Sequence, residues 1–327
     1  MKKTVIILLI IFPIFGILYF SGPRINRPIY NVDLPQVPPT SELDDFVSIN
    51  EANHKIKPGN EAKIIWNNEV GKISDFAIVY LHGFSASHEE GNPLHLQTAK
   101  QLNANLFLPR LADHGLDTVE TMLNFTPERL WESAKLALAV GKNLGKKVIL
   151  MGTSTGGSLA LQLAAKFPND VHSIILISPN IEINDKFAFL LNDPWGLEMA
   201  RWVIGGKERK IADKSDEYKK YWYTNYRLES VVALEEYVET TMHSKTFNSV
   251  KQPVLLLYYY KNEQEQDPVV RVKPMLDMFN SLGTPANFKF KFAIPNSGNH
   301  VIGSKITSGD INTPQVYINK FVEFIKK

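Results

Sequence analysis

The sequence predicts an α/β protein whose mostly parallel sheet is flanked by helices and carries an inserted helical cap. From about residue 59 onward, short apolar runs alternate with helical stretches, which is typical of strands joined by crossover helices. Residues 181–252 interrupt this alternation: they are too many for one crossover helix, and 11 of the 72 are aromatic, so we expect a cap there. Hydrophobic residues make up 44% of the 327 residues and charged residues 21%, a globular composition.

The individual elements follow from the spacing of apolar residues. The strand-like runs are residues 62–66, 76–81, 106–108, 148–151, 174–177, 254–260 and 288–294. The helical stretches are residues 93–102, 127–144 and 157–167, with a further one at residues 228–242 inside the cap. Because strands and helices alternate along the chain, we expect right-handed crossovers and parallel neighbours.

The first 22 residues have the features of a targeting segment. Residues 4–20 are all apolar or uncharged and follow Lys2 and Lys3, and no small-x-small cleavage site comes after them. This pattern favours an uncleaved signal anchor over a cleaved secretory signal peptide. We therefore expect membrane attachment through this segment with an extracytoplasmic main domain, or alternatively a secreted protein.

Residues 23–58 are predicted to form a linker followed by a short helix. Five of the residues from 23 to 40 are proline, which resists both helix and sheet and indicates an extended chain. The sequence Ser41-Glu42-Leu43-Asp44 is typical of a helix start, with Ser41 as the N-cap and Asp44 turned back to the free backbone donors. The main domain is then expected over residues 59–327.

Charge and cysteine content exclude several classes of function. Lys and Arg total 36 against 34 Asp and Glu, and Lys2 and Lys3 account for the difference, so the body is neutral. Nucleic-acid binding needs a surplus of positive charge, so we expect no nucleic-acid partner. The sequence has no cysteine, which excludes disulfides, thiolate metal sites and a cysteine nucleophile.

A candidate nucleophile lies in the segment Gly152-Thr153-Ser154-Thr155-Gly156. An apolar strand precedes it and an Ala- and Leu-rich helix follows it. A serine hydroxyl projects toward a substrate from such a tight turn, and the two glycines let other backbone pass close by. A phosphate-binding loop is also a Gly-rich turn after a strand, but its lysine and glycine spacing are missing here. Ser154 is therefore the predicted nucleophile.

His300 and Asp267 are the candidates for the base and the acid. Each follows a predicted strand, at the sheet edge where Ser154 is also expected, and the order Ser154, Asp267, His300 fits a triad. Glu263 and Glu265 lie in the same loop as Asp267 and are alternatives, and Asp267 could instead serve only as a helix N-cap. We expect structural roles for His82 and His114, and surface or helix-face positions for the other five histidines, which are His54, His88, His95, His172 and His243.

Two backbone N–H groups are candidates for an oxyanion hole. Leu81-His82-Gly83-Phe84 closes a predicted strand, and Thr155 follows the candidate nucleophile. The N–H groups of Phe84 and Thr155 could together hold a tetrahedral oxyanion. The alternative is that His82-Gly83 is an ordinary turn.

Taken together, these motifs resemble those of the α/β-hydrolase superfamily over about residues 59–327. Within it, the chain is similar to the serine-aminopeptidase-like branch, which includes monoacylglycerol lipases and carboxylesterases and carries a helical cap. Two features depart from that pattern: the loop at residues 261–266 before Asp267 is longer than usual, and Thr155 stands where many relatives have a larger residue.

The resemblance implies a serine hydrolase that cleaves small-molecule acyl esters through Ser154, His300 and Asp267, with neither cofactor nor metal. An aminopeptidase or amidase of the same fold is an alternative; it would need acidic residues for a substrate ammonium, and the candidates are Glu182, Glu198, Glu235 and Glu236. A non-catalytic ligand-binding protein that retains the fold is a second alternative.

Overall fold

The computed structural model describes residue 13 and residues 16–327, and this part of the chain contains nine strands. They are β1 (Lys63–Ile65), β2 (Ser74–Leu81), β3 (Asn105–Leu108), β4 (Gly145–Thr153), β5 (Ser173–Ile177), β6 (Glu208–Lys210), β7 (Asn225–Arg227), β8 (Val254–Tyr258) and β9 (Lys289–Ala293). Seven of them form one sheet in the order β1-β3-β2-β4-β5-β8-β9, in which only β1 is antiparallel to its neighbour. The predicted mostly parallel sheet is confirmed, and all seven predicted runs are strands of it.

Helices outside the cap cover both faces of this sheet. The helices after residue 42 are α1 (Leu43–Ala52), α2 (Leu94–Leu102), α3 (Pro127–Leu144), α4 (Thr155–Lys166), α5 (Gly196–Ile204), α6 (Asp216–Tyr221), α7 (Leu228–Thr241), α8 (Ser244–Ser249), α9 (Val272–Ser281) and α10 (Asn312–Ile325). Alternate residues of a strand face opposite sides, so Val79 and Leu81 of β2 belong to one buried cluster while Ile78 and Tyr80 belong to the other. The sheet is therefore apolar on both faces, as parallel sheets are.

The segment between β5 and β8 contains α5 to α8 and the antiparallel pair β6–β7. It includes the range 181–252 in which the sequence predicts a cap. Its three tryptophans differ in exposure: Trp222 is buried, whereas Trp195 and Trp202 are exposed, Trp202 to 84%. Only Trp222 is thus placed to contribute to an interior surface.

Most of the apolar run 4–20 lies outside the described residues, although residues 16–20 are helical. No described helix has the length and hydropathy that crossing a bilayer requires. Residues 23–39 contain neither helix nor strand, as their prolines predict, but they are tied to α3. The indole N–H of Trp131 donates to the carbonyl of Asn31 (2.6 Å), and Lys135 Nζ donates to that of Asp33 (2.9 Å).

The start of α1 differs from the prediction. A single 3₁₀ turn at Thr40–Glu42 leads directly into the helix, and no side chain caps it, so the predicted N-cap role of Ser41 is wrong. The Asp44 carboxylate instead accepts a hydrogen bond from the indole N–H of Trp66 (2.9 Å). The Asp44 carboxylate therefore bonds to a residue outside its own helix and does not serve in a cap.

Trp131→Phe should destabilise the protein because it removes the hydrogen bond from the indole N–H to the carbonyl of Asn31 and shrinks a fully buried ring. We expect a loss of about 1–3 kcal/mol in the free energy of unfolding, measured by urea denaturation. Trp202→Phe is the matched control, since its exposed indole should contribute less than about 0.5 kcal/mol. Equal stability of the two variants would show that the segment 23–39 is not held by this bond.

Candidate active site

Ser154 occupies a sharp turn between β4 and α4. Its φ is 54° and its ψ is −121°, a left-handed conformation that non-glycine residues seldom adopt. The turn is held by backbone hydrogen bonds: the N–H of Ser154 donates to the carbonyl of Ile177 (2.9 Å), and its carbonyl accepts from the N–H of Asn180 (3.0 Å). The neighbouring strand β5 and the loop after it thus fix the serine at the carboxyl edge of the sheet.

The two glycines of this turn are required by close backbone contacts. A Cβ atom at Gly156 would lie 1.9 Å from the carbonyl oxygen of Leu81, and one at Gly152 would lie 2.3 Å from that of Gly156. Real Cβ atoms do not approach backbone so closely, so no other residue fits without displacing the chain. The predicted reason for Gly152 and Gly156, close passage of backbone, is therefore observed.

His300 and Asp267 are in direct contact, although 33 residues separate them in the sequence. Asp267 follows β8 and His300 follows β9, and the distance from His300 Nδ1 to Asp267 Oδ2 is 2.7 Å. The other carboxylate oxygen accepts from the backbone N–H groups of Val269 (2.9 Å) and Val270 (3.0 Å). Both side chains are buried, and Asp267 has a fixed orientation.

The pKa values of the pair are shifted toward its charged state. Burial alone would raise the pKa of Asp267, but the charge of His300 and the hydrogen bonds that the carboxylate accepts lower it more. Burial alone would lower the pKa of His300, but the charge and hydrogen bond of Asp267, followed by the charge of Glu90, raise it above its usual value. Asp267 therefore stabilises a protonated imidazole.

His300 Nε2 is free to accept a proton from another group. It is buried and has no hydrogen-bond partner among residues 16–327, so no hydrogen bond joins it to Ser154 in this structure. Ser154, Asp267 and His300 follow β4, β8 and β9, at the same carboxyl edge of the sheet. Such contacts are often loose without a substrate and tighten when one binds.

The loop after β2, which carries Phe84, is held by hydrogen bonds to the carbonyl of Gly83. The carbonyl of Gly83 accepts from His82 Nδ1 (3.0 Å) and from the N–H of Ala86 (3.3 Å). His82 Nε2 accepts from the N–H of Leu111 (3.1 Å), so the proton must lie on Nδ1. Because a trans peptide points its N–H away from its carbonyl, these bonds fix the direction of the N–H of Phe84.

The second candidate donor, the N–H of Thr155, is at the first residue of α4. The first N–H groups of a helix have no intrahelical acceptor, and the helix dipole there favours negative charge. A Cβ at Gly83 would lie 3.0 Å from Ser154 Cβ, so the loop that carries Phe84 is in contact with the serine. The loop that carries Phe84 and the first residue of α4 are therefore both adjacent to Ser154.

Aromatic rings pack against this loop. The ring of Phe84 makes edge-to-face contacts with Phe125, before α3 (5.4 Å between centroids), and with Tyr226 of β7 in the cap (5.2 Å). Trp222 of the cap forms a small apolar cluster with Ala86 and with Val301, the residue after His300. The cap thus contacts both the loop after β2 and the segment that follows His300.

Other residues that the sequence singled out lie elsewhere. Glu263 accepts a hydrogen bond from Tyr260 and Glu265 pairs with Lys261, and both are exposed, so neither replaces Asp267 as the partner of His300. His82 and His114 are buried and bonded to backbone, as expected for structural residues.

His88 is also buried, in a 3₁₀ turn, which contradicts the surface or helix-face position expected for it, whereas His95 lies on the buried face of α2. Glu90, a buried carboxylate beside Gly83, has no sequence signal beyond its acidic character, and burial raises its pKa to about 7. Within residues 16–327, no group of three or more His, Asp or Glu side chains is arranged to hold a metal ion.

Known structures share this fold at low sequence identity. One from the study of LipS and LipT, two metagenome-derived lipolytic enzymes, has a TM-score of 0.64 and 19% identity, covering 83% of this chain and 99% of that one. The monoacylglycerol lipase of Paleococcus ferrophilus has a TM-score of 0.55 and 12% identity, covering 81% and 97%. Est1E of Butyrivibrio proteoclasticus with bound ferulic acid has a TM-score of 0.53 and 15% identity, covering 82% and 96%. At these identities the likeness establishes the fold alone.

Sequence comparison gives the family directly. No curated protein matches the chain. The model of the alpha/beta hydrolase family matches residues 78–304, which include β4, the turn at Ser154, the cap and the loops of Asp267 and His300. The chain therefore belongs to the alpha/beta hydrolase family.

Proposed function

We propose that the protein is a serine hydrolase that cleaves carboxylic esters of small molecules. The observation that carries this proposal is the buried His300–Asp267 hydrogen bond of 2.7 Å at the sheet edge where Ser154 holds its left-handed turn. A neutral imidazole with one nitrogen fixed by a carboxylate and the other free is the arrangement that a general base needs. The lipases and esterases among the structures of the same fold agree with it.

The reaction would proceed in two halves. Ser154 Oγ attacks the ester carbonyl while His300 Nε2 takes its proton, and the N–H groups of Phe84 and Thr155 bind the resulting oxyanion. The tetrahedral intermediate collapses as His300 protonates the leaving alcohol, which leaves an acyl group on Ser154. Water then attacks the acyl-enzyme with the same base, and the acid is released.

An ester fits the surroundings better than a substrate with a free ammonium group. Most of the acidic residues that could bind an ammonium are engaged: Glu182 with Arg271, Glu198 with Arg201, and Glu236 with Asn192. Glu235 is buried, and its pKa is raised to about 7, first by burial and then by nearby acidic residues. The aromatic cap, whose Trp222 packs next to the residue after His300, favours an apolar acyl group.

Ser154→Ala should abolish ester hydrolysis because the acyl group then has no nucleophile. We expect kcat for p-nitrophenyl butyrate and longer esters to fall by roughly 10⁴-fold or more, with the fold kept by circular dichroism. Ser249→Ala, at an exposed helix end, is the control and should retain wild-type turnover. Full activity of Ser154→Ala would reject this serine as the nucleophile.

In a plot of kcat/KM against pH, the rise on the acidic side (the acidic limb) should report the ionisation of His300. Activity requires neutral His300, so kcat/KM rises with pH through a pKa above the ordinary 6.5 of histidine. Asp267→Asn removes the charge that most raises this pKa, so the limb should move to lower pH while kcat falls by roughly 10³–10⁴-fold. Glu265→Gln, in the same loop, should leave the profile unchanged; an unmoved limb in Asp267→Asn would contradict the assignment.

We also propose that residues 1–22 attach the protein to a membrane, with secretion after cleavage as the alternative. Support comes from the apolar run 4–20 behind two lysines and from the exposed apolar side chains of residues 17–20. The full chain should remain in the membrane pellet after an alkaline wash, and a chain of residues 23–327 should not. Recovery of the full chain in the supernatant would contradict the attachment.

A further inference from the structure

Glu90 is a buried carboxylate that the proposed triad does not use. It lies in the single 3₁₀ turn His88–Gly91 after β2 and is only 2% exposed. A carboxylate is seldom buried so completely unless it has specific partners. Its partners belong to the loop beside Ser154, to the segment that carries His300, and to the cap.

The first partner is the loop that carries the N–H of Phe84. The N–H of Gly83 donates a short hydrogen bond to Glu90 Oε2. A Cβ at Gly83 would lie 2.9 Å from Glu90 Oε1 and 3.0 Å from Ser154 Cβ, so this glycine lies between the carboxylate and the serine. A larger residue at this position would press on both side chains.

The second partner is the segment after His300. A Cβ at Gly303 would lie 3.1 Å from the backbone carbonyl oxygen of Glu90, and Pro93 forms a β-bridge with Ser304. The Glu90 charge is close enough to His300 to raise the pKa of the imidazole, after the larger effect of Asp267. The Asp267 carboxylate is thus hydrogen-bonded to His300, and the Glu90 carboxylate acts on His300 through its charge without a hydrogen bond.

We infer that Glu90 is a positioning residue of the proposed ester hydrolase: it fixes the oxyanion-binding loop through Gly83 and supplies a second negative charge for protonated His300. This inference rests on the proposed function of Ser154 and His300.

The first role follows from how the loop is held. Glu90 fixes the N–H of the peptide before Gly83, while His82 and Ala86 fix the carbonyl of the peptide after it. With both peptides held, the N–H of Phe84 keeps one direction before substrate binds. A preoriented donor costs no reorganisation when the oxyanion forms.

The second role follows from charge. The pKa of Glu90 is raised to about 7 by burial, against the lowering effects of the Gly83 N–H, the charge of His300, and the side chains of Trp222 and Tyr80. The other titratable group facing it is Tyr218, whose pKa is raised, like that of Tyr80, so that both tyrosines stay neutral. Above pH 7, where Glu90 is mainly ionised, its charge stabilises the imidazolium that forms when His300 takes the serine proton.

Two variants separate the two roles. Glu90→Gln keeps an oxygen acceptor for Gly83 but removes the charge, so the acidic limb of kcat/KM should shift to lower pH. Glu90→Asp keeps the charge but retracts the acceptor, so kcat should fall about 10- to 100-fold with little change in KM and a limb that stays in place. Glu89→Gln is the matched control, because the Glu89 side chain contacts Asn92 instead.

The readout is the pH dependence of p-nitrophenyl butyrate hydrolysis, together with the rate of fluorophosphonate labelling of Ser154. Ester turnover and labelling by the wild type establish the proposed function independently of Glu90, and a wild type inactive in both would defeat that function. An active wild type with an unshifted limb in Glu90→Gln, or wild-type kcat in Glu90→Asp, would overturn the inference. If one variant does not fold, the other still tests its own role.

Discussion

The left-handed backbone at Ser154 is the constraint on which the site depends. A non-glycine residue at a φ of 54° costs about 1–3 kcal/mol, which the surrounding structure must supply. It does so through two backbone hydrogen bonds: the N–H of Ser154 donates to Ile177, the last residue of β5, and the carbonyl of Ser154 accepts from the N–H of Asn180 in the loop after β5. Gly152 and Gly156 let the strands close around the turn. The parallel core thus holds Ser154 at the carboxyl edge of the sheet, where the proposed function needs its nucleophile.

A buried polar framework surrounds this turn. Asp267 orients His300, and Glu90 together with His82 holds the loop that carries the N–H of Phe84. The pKa of His82 is lowered far below its usual value, chiefly by burial, so His82 stays neutral and its tautomer is set by its two backbone partners. In a low-dielectric interior such fixed dipoles and charges act more strongly than they would in water.

Apolar periodicity was sufficient to predict the strands and the main helices. The predicted helix at residues 127–144 has the observed bounds of α3, and all seven predicted strands are present. These elements are buried, so their positions depend on local apolar runs that the sequence displays. The contact between Asp267 and His300 is also as predicted, because both follow strands that end at the same edge.

What the sequence could not reveal depends on contacts between distant segments. Asp44 is hydrogen-bonded to Trp66 instead of capping its own helix, and His88 is buried although its neighbours in the sequence are polar. Glu90 lies beside the acidic Glu89 in a polar turn, and only the fold distinguishes the carboxylate that reaches Gly83 from the one that contacts Asn92. Pairing of this kind has no periodic signal in the sequence.

A crystal structure of the protein after reaction with a fluorophosphonate ester would test the central claim most directly. The account predicts phosphorus bonded to Ser154 Oγ, with the phosphoryl oxygen accepting hydrogen bonds from the N–H groups of Phe84 and Thr155 and with His300 Nε2 next to the serine oxygen. Phosphorus on another residue, or a phosphoryl oxygen turned away from both N–H groups, would contradict it.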